Sequence, residues 1–223
     1  MTPNPSQAEA RTARTSRASP RRAPTAENRL RDAERSRRKL LAAALDEFAA
    51  KGYAATRVQD IAERAGVNKQ LVNYYFGGKE GLYRELQGQW EAREASFAGP
   101  EVPLETLAGE YVHAALSDPR LTRLLVWAGL SEEPGEPGQR PGTGAADPDV
   151  EDLRRRQAAG ELADDLDPGC TLLAMFGAIA APIVLPQIAR KACGLDPGSA
   201  EFEARYAEHI KRMVRRLGGR PGA

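Results

Sequence analysis

IAERAGVNKQLVNYYFGGKEGLY, from Ile61 to Tyr83, decides how the rest of the chain is read. Val58, Ile61, Ala62 and Ala65 fall on one face of a helix opening at Thr56, whose hydroxyl forms a capping-box pattern with Gln59, and Gly66 ends it. Asn68 is placed to cap a third, short helix that runs to about Tyr75 and is broken by Gly77-Gly78. Two short helices joined at Ala65-Gly66-Val67 have the layout of a helix-turn-helix, and the small side chain of Ala62 lets them approach closely. An ordinary helical hairpin of a bundle shares that layout. It predicts an apolar stripe along the third helix and nothing distinctive opposite.

Spacing the third helix at 100° per residue places Lys69, Gln70, Asn73 and Tyr74 in one arc and Leu71, Val72, Tyr75 and Phe76 in the other. The first arc holds no acid, one cation, two amides able to pair bidentately with adenine and an aromatic ring with a hydroxyl. Such groups read base edges and hold phosphates in a major groove, and a helix N-terminus adds free amides facing an anion. The physical reading therefore favours DNA over a mere solvated face.

Upstream, Leu40, Leu41, Ala44, Leu45 and Phe48 recur at helical spacing and Gly52 stops that helix. Before it, residues 1–32 are built from Arg, Ala, Ser, Thr and Pro and read as a flexible basic arm, with structure beginning near Ala33. Net charge is only +1, but Met1 to Lys39 carries eleven bases against four acids. That asymmetry suits a polyanion-binding end, although a solvated tail has the same composition. The arm has no apolar core of a secretory signal. The preference for Arg over Lys, with much Ala, Gly and Pro, suits a GC-rich bacterial genome.

Downstream, a helix from Lys79 towards Phe97 precedes two amphipathic helices, LETLAGEYVHAAL and RLTRLLVWAGL, and then a Gly/Pro-saturated loop at about 131–149. DVEDLRRRQAAGEL resumes a helix, and the last, closing helix carries Phe202, Tyr206, Ile210, Met213 and Leu217 as a stripe. Cys170 to Ala189 is uncharged over 20 residues, the length of a membrane span. Pro182, Pro186 and Gln187 instead favour a buried interface helix, kinked or broken at the prolines. Were one helix to span Cys170 and Cys193, the thiols would stand ~34 Å apart, too far for a disulfide, which suits a reducing, cytoplasmic setting. No strand pattern or internal repeat is visible.

The segment TRVQDIAERAGVNKQLVNYYFGGKEGLYREL resembles the DNA-binding domain of TetR-family transcriptional regulators, through Ala49, Gly52-Tyr53, Thr56, Asp60-Ile61-Ala62, Ala65-Gly66-Val67, Tyr74, Phe76, Lys79 and Leu82. The resemblance implies that Thr56, Arg57 and Gln59 touch phosphate or nearby bases. It implies that Lys69, Gln70 and Asn73 read bases and that Tyr74, Tyr75 and Lys79 clamp the backbone, with Asn68 at the entrance of the DNA-facing set. The family most often has Tyr at the position of Asn73 and often Ser at that of Asn68, so Asn73 shifts its position from phosphate towards base reading. The family's last two helices pair with their mates as a four-helix bundle, and its middle helices hold a small-molecule effector.

One short reading helix makes few base contacts, so specificity calls for a two-fold homodimer on a palindromic double-stranded operator with half-sites ~34–36 Å apart. The expected dimer face comprises Leu172, Phe176, Ile179, Ile183, Phe202, Tyr206, Ile210, Met213 and Leu217. The expected effector site comprises Tyr111, His113, Trp127, Met175 and Phe176, although core packing is the commoner role for any one of them. An enzyme is disfavoured: two distant histidines accompany no phosphate loop, metal-ligand cluster or nucleophile motif, and no cofactor is implied. The expectation is an all-α chain: arm 1–32, helix-turn-helix domain 33–80, larger helical ligand-binding and dimerisation domain 81–218 and tail 219–223. It would act as a ligand-responsive repressor. The alternative is a non-specific architectural DNA-binding protein.

Overall fold

A computed structural model of the chain describes residues 26–131 and 147–218. The basic segment before residue 26, most of the Gly/Pro-rich loop and the tail from 219 lie outside the described residues. Ten helices follow: α1 (Ala26–Ala55), α2 (Val58–Ala65), α3 (Gln70–Phe76), α4 (Lys79–Glu94), α5 (Leu104–Ser117), α6 (Arg120–Ser131), α7 (Pro148–Ala158), α8 (Pro168–Val184), α9 (Pro186–Cys193) and α10 (Ala200–Leu217). There is no strand among the described residues. By contacts the described residues divide into two units, one up to Arg35 and one from Ser36. Residues 26–32, expected in a flexible arm, are already helical, and Arg31 pairs there with Glu27 at 2.7 Å.

Within the second unit one core gathers Leu40, Leu41, Ala44, Leu45 and Phe48 of α1, Ile61 and Ala65 of α2, Val72 of α3, Leu82 and Leu86 of α4 and Leu124 of α6. These are the apolar faces that the 3.6-residue period selects, and each fully buried Leu or Phe contributes about 1.5–3 kcal/mol. A second core joins Leu104, Ala108 and Val112 of α5 to Leu153 of α7 and Ile210 and Val214 of α10.

The α2–α3 turn is closed by backbone geometry. Gly66 sits at φ 64°, with Gly66 N–H on Glu63 O (3.1 Å) and Val67 N–H on Ala62 O (3.1 Å), the paired bonds of a Schellman motif. Asn68 caps as expected, its Oδ1 accepting from Gln70 N–H at 2.8 Å. Thr56 does not cap α2. Its hydroxyl turns back to α1, donating to Gly52 O at 2.8 Å with Glu47 O at 3.2 Å, and Arg57 occupies the cap position without a side-chain bond. The kink at Gly52 (φ 77°) presents those carbonyls, and they capture the hydroxyl first.

The apolar segment is broken into α8 and α9, which meet at 92°. Pro182 is accommodated inside α8, while Pro186 opens α9, where a missing N–H costs nothing. A single-helix ruler between Cys170 and Cys193 therefore does not apply; both cysteines are free. No single helix among the described residues is long and apolar enough to cross a membrane.

Arg156, 1% exposed, is the largest fully buried side chain among the described residues. Its guanidinium donates to Asp152 Oδ2 (2.6 Å), Val102 O (2.7 Å), Glu161 Oε2 (3.1 Å) and Gly99 O (3.3 Å). Glu161 Oε2 also accepts from Leu104 N–H at 2.7 Å, so one cation fastens the entrance of α5 to α7. Arg156→Ala removes the cation these acceptors share and is expected to lower unfolding free energy by about 3 kcal/mol, measured by urea denaturation.

Candidate nucleic-acid interface

The residues of α3 and the two before it divide as the helical wheel divides them. Val72 is fully buried and Leu71, Tyr75 and Phe76 are half-buried, while Asn68, Lys69, Gln70, Asn73 and Tyr74 are exposed. Tyr74 is 79% exposed and meets Tyr75 edge-on at 5.0 Å between centroids. Tyr75 in turn meets Phe76 at 6.3 Å, and the Arg37 guanidinium lies 5.3 Å above the Phe76 ring. Arg57 and Gln59 are exposed at the start of α2, with the Gln59 amide on Glu63 Oε1 at 2.7 Å. No acidic side chain shares the exposed arc of α3.

Two expected contacts are engaged inside the protein. Thr56 is 2% exposed, with its hydroxyl committed to α1 as described. A hydroxyl so buried does not itself face a phosphate. Lys79 is half-buried, and its ammonium donates to Tyr53 O at 2.9 Å and Thr56 O at 3.0 Å.

Residues that patterning alone did not single out hold α2 against α1. Glu47 of α1, 4% exposed, lies 2.6 Å from both Lys51 Nζ and Arg64 Nε, and Lys51 also reaches Asp60 of α2 at 3.1 Å. Neighbouring Asp46 takes Arg120 of α6 at 2.8 Å and Arg64 at 3.7 Å. Only the Glu47–Lys51 pair, four apart on one helix, carries a sequence signal. Hydrogen bonds from Lys51 and Arg64 hold the Glu47 carboxyl below its ordinary value. Two close backbone approaches complete the frame. The Trp127 ring lies 3.4 Å from where a Gly52 Cβ would stand, and a Cβ on Gly81 of α4 would land on the Phe76 carbonyl oxygen.

The five expected effector-site residues have different neighbours. Tyr111 packs edge-on against Phe97 (5.2 Å) and near Trp90 (6.5 Å) and donates to Glu94, its pKa pushed far above the ordinary value by burial and then by that bond. His113 is exposed and pairs with Glu203 of α10, and Trp127 belongs to the Gly52 contact. Met175 packs against the second core, and Phe176 is 42% exposed. A groove of about 600 Å³ at α9 and α10, lined by Cys193, Arg205, Tyr206, His209 and Arg212 among others, includes none of the five.

The expected dimer face divides as well. Phe202, Ile210 and Ile183 are 1%, 5% and 7% exposed and pack within the protomer. Leu172, Ile179 and Tyr206 pack on the second core, Leu217 is half-buried, and Phe176 and Met213 remain exposed. Leu173, Val184, Leu185 and Ile188, not singled out by the pattern, are exposed beside them.

Two family profiles match the chain. "Bacterial regulatory proteins, tetR family" covers residues 40–86, and "Tetracyclin repressor-like, C-terminal domain" covers residues 104–216, more than half of the molecule. The chain belongs to the TetR family. Both profiles describe regulatory proteins. The HTH-type transcriptional regulator RutR of Escherichia coli K12 is 34% identical over 118 residues, 49% of this chain and 55% of RutR, so the chain spans about half the length of that relative. The HTH-type transcriptional repressor SCO4008 of Streptomyces coelicolor is 29% identical over 194 residues, 84% of this chain and 97% of its own. The solved structure of the regulator SCO4942 from Streptomyces coelicolor is similar with a TM-score of 0.60 and 27% identity, covering 80% of this chain and 97% of that one. The two matched regions of this TetR-family chain correspond to the helix-turn-helix core and to the helices that pack around Arg156 and α10.

Two outcomes follow from this frame. Gly81→Ala forces α4 away from the end of α3 and is expected to weaken DNA binding markedly, measured by fluorescence anisotropy, while the thermal transition stays cooperative. Because the folded-state pKa of Glu47 is depressed below 4.5, its contribution is present above that value and is lost as pH falls through the lower, folded one. The stability gap between the wild type and Glu47→Gln is therefore widest near neutrality and narrows in acid, as followed by denaturation across pH.

Proposed function

We propose that the protein is a cytoplasmic, ligand-responsive repressor that binds a palindromic operator as a homodimer. The observation carrying this reading is the exposed, acid-free arc of α3, with Lys69, Gln70, Asn73 and Tyr74 directed outward on a helix whose opposite face is buried. Lys69, Gln70 and Asn73 read base edges, Tyr74 and Tyr75 hold the flanking backbone, and Asn68, Arg57 and Gln59 approach neighbouring phosphates. Seven residues of helix supply too few contacts for selectivity by one protomer. The exposed Leu173, Phe176 and Met213 supply apolar surface suited to pairing with a second copy.

Repression follows the likeness to the transcriptional repressor SCO4008. The half-buried rings of Tyr111, Trp90 and Phe97 offer apolar surface of the kind an effector requires. An effector favouring one spacing of the two reading helices shifts operator affinity by its differential affinity for the two states.

Salt titrations on a duplex selected from a random pool and on a scrambled duplex test the reading. Preference for the selected duplex at every salt concentration supports it, and equal affinity overturns it in favour of an architectural DNA-binding protein. Lys69→Ala and Asn73→Ala are each expected to cost about 1–3 kcal/mol of discrimination while the dimer persists by light scattering. Wild-type selectivity in both variants would remove these residues from the reading set.

A further inference from the structure

The feature that the DNA-reading assignment leaves unused is the position of the Lys79 ammonium. Its three N–H donors face three carbonyls at one corner: Tyr53 O at 2.9 Å, Thr56 O at 3.0 Å and Ala54 O at 3.5 Å. The nitrogen also stands 4.2 Å from the centroid of the Tyr53 ring, on its electron-rich face. That ring is itself held, 5.6 Å from Phe48 and 5.1 Å from Tyr83. The carbonyls lie beyond the Gly52 kink, where the last oxygens of a helix lack intrahelical donors and the dipole end is negative. The ammonium is thus seated in a ready-made cation site of its own chain.

Connectivity gives that seat its meaning. Thr56 lies two residues before α2 opens at Val58, and Lys79 lies three residues after α3 closes at Phe76. One ammonium therefore ties the exit of the helix-turn-helix to its entrance. At the same corner Gly81 brings α4 into backbone contact with the Phe76 carbonyl. The orientation of α3 on α1 is fixed by the Lys79 bonds at one end and by the Gly66 turn at the other.

We propose that Lys79 is a positioning residue which holds the reading helix from within and remains on these carbonyls in the DNA-bound protein, instead of contacting a phosphate. This rests on the reading of α3 as the DNA-contacting helix. Moving the ammonium to a phosphate would leave three carbonyls without their cationic donor and release the corner that aims α3. The aliphatic chain of methionine keeps the packing and removes only the donors and the charge.

The test uses the full-length protein, the selected duplex and the scrambled duplex. Lys79→Met is expected to lower affinity for the selected duplex on the order of tenfold, to leave scrambled-duplex affinity unchanged and to keep the wild-type slope of log Kobs against log salt. In the wild type, the Lys79 ammonium signal in ¹⁵N NMR is expected to be protected from exchange in the free protein and unshifted on adding the selected duplex. A slope shallower by ~0.9 in Lys79→Met, the loss of one phosphate contact, overturns the proposal. So does unchanged affinity for the selected duplex, or an ammonium signal that shifts and couples to ³¹P in the complex. The NMR arm needs no variant and decides the matter even where Lys79→Met does not fold. Wild-type protein that binds both duplexes equally overturns the underlying reading of α3, a result distinct from selective wild-type binding combined with a lost phosphate contact.

Discussion

A helix of seven residues has no stability of its own in water, because nucleation fixes several residues before the hydrogen bonds repay it. That α3 exists at all depends on the burial of Val72 against α1 and α4, with Leu71 and Phe76 beside it. The same burial sets which side chains remain outside. Each residue added to the buried arc by a change of register would withdraw one from the exposed arc, so the core and the DNA-facing surface are two descriptions of one constraint. The stability of α1, with Leu40, Ala44 and Phe48 fully buried, is therefore a precondition of recognition.

Apolar packing alone does not fix the angle between helices, and the charged groups around α1 supply what it lacks. Asp46 and Glu47 are adjacent in sequence but diverge on the helix, one towards Arg120 of α6 and the other towards Arg64 of α2 and Lys51 of its own helix. Charges this close to a core have directional partners and few alternative geometries. Both α2 and α6 are thereby referenced to the same turn of α1. A displacement of α6 acts on the very residues that seat the helix-turn-helix.

Much of this was legible in the sequence, and the failures are specific. The apolar period marked Leu40 to Phe48, Ile61 to Ala65 and Val72 because only one face of each helix can be buried, and Gly66, Asn68, Gly77 and Pro186 marked ends through backbone geometry. Thr56 misled because a capping hydroxyl and one that bonds back to the preceding helix have the same local signature; the kink at Gly52, a tertiary matter, decides between them. Phe202, Ile210 and Ile183 show that a 3.6-residue stripe says that a face is covered and not by which chain. Amphipathic character does not encode which side chains converge on a pocket, so the effector-site grouping had no such basis in the sequence. The long-range pairs of Arg156, Glu47 and Lys79 left almost no trace, because each joins residues distant in the chain.

Trp90 and Trp127 are the protein's only two tryptophans, and each sits at a junction between helices. Trp127 of α6 covers the Gly52 kink of α1, while Trp90 of α4 faces Tyr111 of α5. An indole reports the polarity and quenching groups within a few ångströms. The molecule thus carries two built-in optical probes, one on each side of the frame that supports the reading helix. Single-tryptophan versions of the chain would let the two junctions be watched separately, without attaching a dye to either.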